Sequence, residues 1–228
     1  MEKRFLVVSP HPDDAELALG GTIVKLLRKR HRVLIVDLTS GEPTPFGSEE
    51  KRKKETLKAN RILGIKERVN LGLKNRFLFD GKENRLLLAE EIRKFSPDIL
   101  FCPYYDDAHP DHCASSKITE AARFYAKFTK INIKGAPHYP GYLFYYFCTH
   151  LRTIPDFSFL VDITAEFKDK IKAISSYRSQ FKDNPKGRFV IPYIESQNSY
   201  LGKLINCGYA EAVYCKEAIK INDLTSLL

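Results

Sequence analysis

A single-domain, Rossmann-like α/β fold is predicted for residues 1–228, with a mostly parallel sheet flanked by helices. Two observations predict it. Short aliphatic runs alternate with longer segments of helical period, the pattern of strand–helix–strand units that feed a parallel sheet. The side chains with obvious chemistry come just after two of those runs, where open parallel sheets place their functional crevice. A length of 228 residues fits one such domain.

The first elements follow from these runs. RFLVVS (4–9), RVLIVDL (32–38) and DILFC (98–102) are too short for helices, and their near-continuous apolar character predicts strands buried on both faces. Between them, segments 14–30, 48–63 and 84–95 have the spacing of helices. Gly64 stops the second helix after NRIL, and SPD (96–98) separates the third from its strand. A fourth helix is predicted over 110–127, then strands at GYLFYYF (141–147) and FSFLVDI (157–163), and an amphipathic helix over 164–181. From about residue 184 onward there is no internal repeat, no low-complexity tract and no clear period.

Composition narrows the class of protein. Hydrophobic residues at 43% and charged residues at 29% are ordinary for a folded chain and exclude disorder. The N-terminal apolar run ends after four residues, too soon for a signal sequence, and YLFYYFC (142–148) is far short of the roughly 20 residues that cross a bilayer. Five cysteines with no C-x-x-C spacing point to reduced, mostly buried thiols in a cytoplasmic protein. The net charge of +9 is interleaved with acids, as in SEEKRKKETLK (48–58), so solvated helix faces explain it better than a nucleic-acid footprint. Neither nucleic acid nor membrane is expected as a partner.

Two motifs carry the chemistry: His-Pro-Asp-Asp at 11–14, after the first strand, and His-Pro-Asp-His at 109–112, after DILFC and a short loop. An aspartate before a helix is a good cap, and proline suits the first helical turn. Capping needs one polar side chain, however, whereas these motifs pool three histidines and three carboxylates at one end of one sheet. Two imidazoles and a carboxylate form a catalytic Zn²⁺ set with a position left for water, which assigns His11, Asp14 and His112 as ligands; other divalent metals would fit the same donors. Asp13 is then a carboxylate beside the ion and free to act as general base. His109, outside the ligand set, is expected to be protonated and to donate to a developing oxyanion or a leaving amine. There is no G-x-G-x-x-G after the first strand and no G-x-S-x-G elbow, which removes the usual signs of dinucleotide binding and serine-hydrolase chemistry. Gly20 and Gly21 are expected to interrupt the first helix for close packing, Cys113 to pack inside the fourth helix, and His31, His138 and His150 to lie elsewhere on the surface or in the core.

With HPDDAELALGGT (11–22), LTSGEPTPFGSEEKRKKETLKANRILGI (38–65), NLGLKNR (70–76) and HPDH (109–112), and more loosely through 161–181, the chain resembles the LmbE/PIG-L family of zinc-dependent N-deacetylases. The resemblance implies the same ligands and base, with Asp111 orienting His109. It also implies that Arg52 and Asn75 face sugar hydroxyls and that Tyr193, in PYIES (192–196), reaches the site. Within the family the chain is similar to deacetylases of bacillithiol biosynthesis, which act on an N-acetylglucosaminyl malate. Relatives of that branch often carry an arginine where this chain has Ala108.

The expected activity is removal of an acetyl group from the amine of an N-acetylglucosamine-type conjugate. An esterase or another amide hydrolase on the same metal is the alternative, because carbonyl polarisation is common to both. A non-catalytic protein with a structural metal is more remote, since such sites are usually closed by four protein ligands. The family implies a homo-oligomer, for which HYPGYLFYYF (138–147) is a candidate interface or, equally, a buried strand.

Overall fold

The computed structural model describes residues 2–151, 155–221 and 223. Its strands are β1 (Arg4–Ser9), β2 (Arg32–Thr39), β3 (Glu67–Leu73), β4 (Ile99–Pro103), β5 (Tyr142–Tyr146), β6 (Phe159–Asp162) and β7 (Ala210–Cys215). They form one sheet in the order β3-β2-β1-β4-β5-β7-β6. The first five strands in that order are parallel, and β7 runs antiparallel to both β5 and β6.

Both faces of the sheet are covered, which is why the strands read as unbroken apolar runs. Alternate side chains of β1 and its neighbours go to opposite sides. Leu6, Val8, Val36 and Leu100 lie in one core cluster, and Phe5, Val7, Ile35 and Phe101 in the other. Helices α3 (Lys82–Phe95) and α4 (Pro110–Ala126) close the first cluster through Leu88, Ile92, Ile118 and Ala122. Helices α1 (Asp14–Arg28) and α2 (Glu49–Leu63) close the second through Leu19, Ile23, Ala59 and Leu63. Strand β1 is flanked by β2 on one side and β4 on the other, so the chain reverses its direction of winding there. The crevice beyond the carboxyl ends of β1 and β4 is therefore the switch point at which such sheets bind ligands.

Three elements depart from the sequence expectation. The helix expected over 164–181 is two pieces, α5 (Phe167–Ile174) and α6 (Arg178–Phe181). The break lets Tyr177 bury completely and donate its hydroxyl to Glu16 at 2.7 Å, and lets Glu55 of α2 accept both the backbone N–H and the hydroxyl of Ser179. Strand β3 has no apolar run to announce it, because as an edge strand it is only partly buried. The C-terminal stretch forms α7 (Val190–Leu204) and β7.

Helix α1 is not interrupted at its glycines. Close packing does require them: a Cβ on Gly21 would lie 2.6 Å from Cβ of Ile163, and one on Gly20 would lie 2.9 Å from Cγ of Lys170. Within HYPGYLFYYF, β5 covers Tyr142–Tyr146 and Leu143 to Phe147 are in the core, whereas Tyr139 is exposed. Among the described residues no helix is long and apolar enough to cross a membrane.

Candidate metal centre

The first motif forms the turn out of β1. His11, Pro12 and Asp13 span it and Asp14 opens α1. Asp13 occupies the position before the helix, but its side chain makes no capping hydrogen bond and its backbone sits at φ 129°. Strain of that kind persists only where surrounding contacts impose it. Helix punctuation therefore does not account for this aspartate. The second motif follows β4 by way of a loop, and His109 caps α4, with its Nδ1 accepting the N–H of Asp111 at 3.1 Å.

The two motifs meet across the β1–β4 crevice. The ligand atoms of His11, Asp14 and His112 all lie within 4.8 Å of one another. Asp14 Oδ2 is 3.1 Å from His11 Nδ1 and 3.5 Å from His112 Nε2. Both ring nitrogens of His112 are buried without a well-formed hydrogen-bond partner. Burial opposes charge on both rings, yet the neighbours prevail: Asp111 and Asp14 push His11 up to about 9, and Cys148, Asp14 and Asp107 hold His112 well above its ordinary value. Burial likewise opposes charge on Asp14, but these imidazoles keep it well below the usual carboxylate range. A cluster that draws protons onto two imidazoles around one carboxylate is built to hold positive charge. Since metal binding displaces such protons, the donors fit a divalent cation.

Asp13 stands beside this set. Burial pushes its carboxyl up to about 7, against the opposing pull of Arg52. Its Oδ2 accepts from Arg52 Nη1 at 2.8 Å. His109 is pushed the other way, down to about 4, first by burial and then by the charges of His112 and His11. Its Nδ1 accepts the N–H of Asp111, so Nε2 is the ring nitrogen left for other contacts.

A cavity of about 340 Å³ opens over His11, Asp13, Asp14 and His109. Its outer wall includes Asn75, Arg76, His150, Gln180, Lys186 and Phe189. Charged and polar groups thus line the cavity together with the exposed ring of Phe189.

Residues 6–123, which span both motifs, match the family described as PIG-L: GlcNAc-PI de-N-acetylase. The chain belongs to the PIG-L family. It is 29% identical over 228 aligned residues to a diacetylchitobiose deacetylase of Thermococcus kodakarensis, covering 92% of this chain and 82% of the relative. It is 32% identical to a probable N-acetyl-alpha-D-glucosaminyl L-malate deacetylase 2 of Bacillus anthracis, over 53% of this chain and 59% of that one. The crystal structure of a conserved protein of Thermus thermophilus, 37% identical, superposes with a TM-score of 0.88 and covers 96% of this chain and 98% of the other.

Several residues of this PIG-L member sit differently from their sequence expectation. The Asp111 carboxylate turns to His11, with Oδ2 at 3.2 Å from Nε2, and accepts the N–H groups of Arg76 and Leu78. The hydrogen bond that joins it to His109 is made by its backbone, so the carboxylate orients His11 instead. Arg52 lines the cavity but is only 3% exposed, and its Nη1 and Nε are taken by Asp13, Pro12 and Glu42. It is not the exposed arginine of a charged helix. Asn75 does line the cavity. Tyr193 does not: its hydroxyl donates to the carbonyl of Leu151, and Phe189 and Val190, one turn earlier, face the site. Cys113 bonds to Asp107 through its sulfur, tying down the loop before α4.

His150 belongs to the site although no motif surrounds it. Its ring lies 5.3 Å from that of His109 and 5.5 Å from that of His112, centroid to centroid. Only tertiary folding, which carries the end of β5 alongside α4, reveals this. Gln180 has a signal, within the looser match through YRSQF, and it reaches the site by donating to Thr44.

Proposed function

We propose that this PIG-L member is a zinc-dependent hydrolase that removes the acetyl group from the amine of an N-acetylglucosamine conjugate. The observation that carries the proposal is the buried Asp13 carboxyl standing beside the His11–Asp14–His112 donor set, with His11, Asp13 and Asp14 lining one cavity. The Thermococcus and Bacillus relatives support the substrate class, since one is a diacetylchitobiose deacetylase and the other a probable N-acetyl-alpha-D-glucosaminyl L-malate deacetylase. Two imidazoles and a carboxylate are a catalytic-zinc donor set. Bound there, the ion supplies Lewis-acid polarisation of the acetamide carbonyl and acidifies the attacking water.

The chain's own groups supply the rest. Asp13 Oδ2 is held by Arg52, which leaves Oδ1 to take a proton from water as its oxygen adds to the carbonyl carbon. His109 donates from Nε2–H to the carbonyl oxygen as negative charge develops there. Losing one such donor typically costs about 2.7–4 kcal/mol of barrier. The C–N bond then breaks and Asp13 returns its proton to the departing amine, giving acetate and a free amino sugar. A carboxyl poised near 7 both accepts and releases that proton readily.

Arg52 acts on this cycle through Asp13. The base works ionised, and the guanidinium lowers its pKa. Removing the guanidinium raises that pKa further. Arg52→Ala is therefore expected to move the acidic limb of the kcat/KM profile to higher pH and to lower kcat at pH 7. If the limb stays in place and only KM rises, Arg52 serves the substrate instead.

The proposal as a whole is tested by product analysis. Equal amounts of free amine and acetate are expected from N,N′-diacetylchitobiose or another N-acetylglucosamine conjugate. Acetate release from O-acetyl sugars, with N-acetyl sugars untouched, would favour an esterase.

A further inference from the structure

The side of His112 that faces away from Asp14 meets the Asp107 carboxylate. We infer that Asp107 is a positioning residue for His112: its carboxylate holds the imidazole in the Nδ1–H tautomer and so leaves Nε2 unprotonated for the metal.

His112 Nδ1 lies 3.2 Å from Asp107 Oδ2, and these side chains are 1% and 0% exposed. Both atoms are buried, and neither has a well-formed hydrogen-bond partner, so each is the nearest group of opposite kind to the other. Asp107 itself is held from several directions. Its Oδ1 accepts the N–H of His109 at 2.7 Å, its own N–H reaches Cys113 Sγ at 3.4 Å, and Sγ donates back to its carbonyl at 3.2 Å. Only Oδ2 is left to face the ring. A carboxylate accepts and does not donate, so it favours the tautomer with the proton on Nδ1. The same logic holds at the other imidazole ligand, where Asp111 faces His11 Nε2 and Asp14 faces Nδ1. Each histidine is thus gripped between the shared ligand Asp14 and a carboxylate of its own, an arrangement that fixes ring orientation and raises ligand basicity.

Cys148 offers the rival geometry. Its sulfur, Asp107 and His112 also lie within 4.8 Å of one another, and a metal there would take Nδ1 instead of Nε2. The two arrangements use opposite nitrogens of one ring.

The inference rests on the proposed metal, and its test separates the two. Zinc affinity is measured by chelator competition on metal-free wild type, Asp107→Asn and Cys148→Ala, and the His112 tautomer is read from imidazole ¹⁵N shifts in the zinc-loaded wild type. In Asp107→Asn the amide oxygen can still accept from His109, which turns the amide N–H₂ toward Nδ1 and favours the wrong tautomer. Zinc affinity is expected to fall about 10–100-fold in Asp107→Asn, to stay unchanged in Cys148→Ala, and His112 is expected to be protonated on Nδ1. Unchanged affinity in Asp107→Asn, lost affinity in Cys148→Ala, or metal on Nδ1 overturns the inference; the tautomer decides on wild type alone if a variant fails to fold. A wild type that takes no zinc overturns the metal proposal as well.

Discussion

Asp13→Asn should lose about 10²–10⁴-fold in kcat while the metal stays bound, the range ascribed to general acid–base catalysis. The amide keeps the size of the carboxylate, and its oxygen can still accept from Arg52 Nη1, as Asp13 Oδ2 does now at 2.8 Å. It cannot take a proton from water. Asp14→Asn, one residue on, should fail in a different way, because Asp14 lies among the ligand atoms and faces both imidazoles. Losing its charge should weaken zinc binding itself. Zinc affinity and single-turnover rate at saturating metal, measured on both variants, separate the two roles. If Asp13→Asn loses the metal and Asp14→Asn keeps it, the assignments are reversed.

The second large effect is on stability. Lys170→Met should destabilise the fold by about 3–5 kcal/mol, the usual result of breaking a buried ion pair from one side. Lys170 Nζ donates to Glu211 Oε1 at 2.7 Å, and both side chains are fully buried. Glu211 also accepts the N–H groups of Gly21 and Thr22 in α1, which ties β7 and α5 to the helix that presents Asp14. Methionine fills much of the volume of the lysine stem and supplies no charge, so the carboxylate is left with two backbone donors. The denaturant midpoint should fall with the slope unchanged. Adding Glu211→Gln to Lys170→Met should recover much of the loss, since the lone buried charge is then gone. A double variant as unstable as the sum of the singles would show that the two residues do not act as a pair.

How far the sequence reveals this molecule depends on whether the signal is local. The switch point is legible because β1 and β4 are buried on both faces and read as apolar runs, and because each motif follows its strand within a few residues. The donor set His11, Asp14 and His112 is legible for the same reason. Strand β3 is not, because an edge strand has little apolar surface to hide, and β7 carries the charged Glu211 in a buried position that Lys170 and two backbone N–H groups of α1 satisfy. The setting of Arg52 is hidden because α2 is densely charged and reads as a solvated face. Its burial depends on ion pairs with Asp13 and Glu42, both distant from it in sequence. The partner of the Asp111 carboxylate is not legible either, because the imidazoles of His11 and His109 both lie within its reach and only the geometry chooses between them. His150 and Phe189 reach the cavity from segments with no motif at all.

The most direct test of the central claim is acetate and free-amine release from an N-acetylglucosamine conjugate as the chelator-stripped protein is titrated with zinc. Neither product should form from stripped protein, both should rise together, and the rate should reach its plateau at one zinc per chain. His112→Ala should show neither tight zinc binding nor release. Full release from metal-free protein, or from His112→Ala at one equivalent of zinc, would contradict the assignment of this cluster as the deacetylase centre.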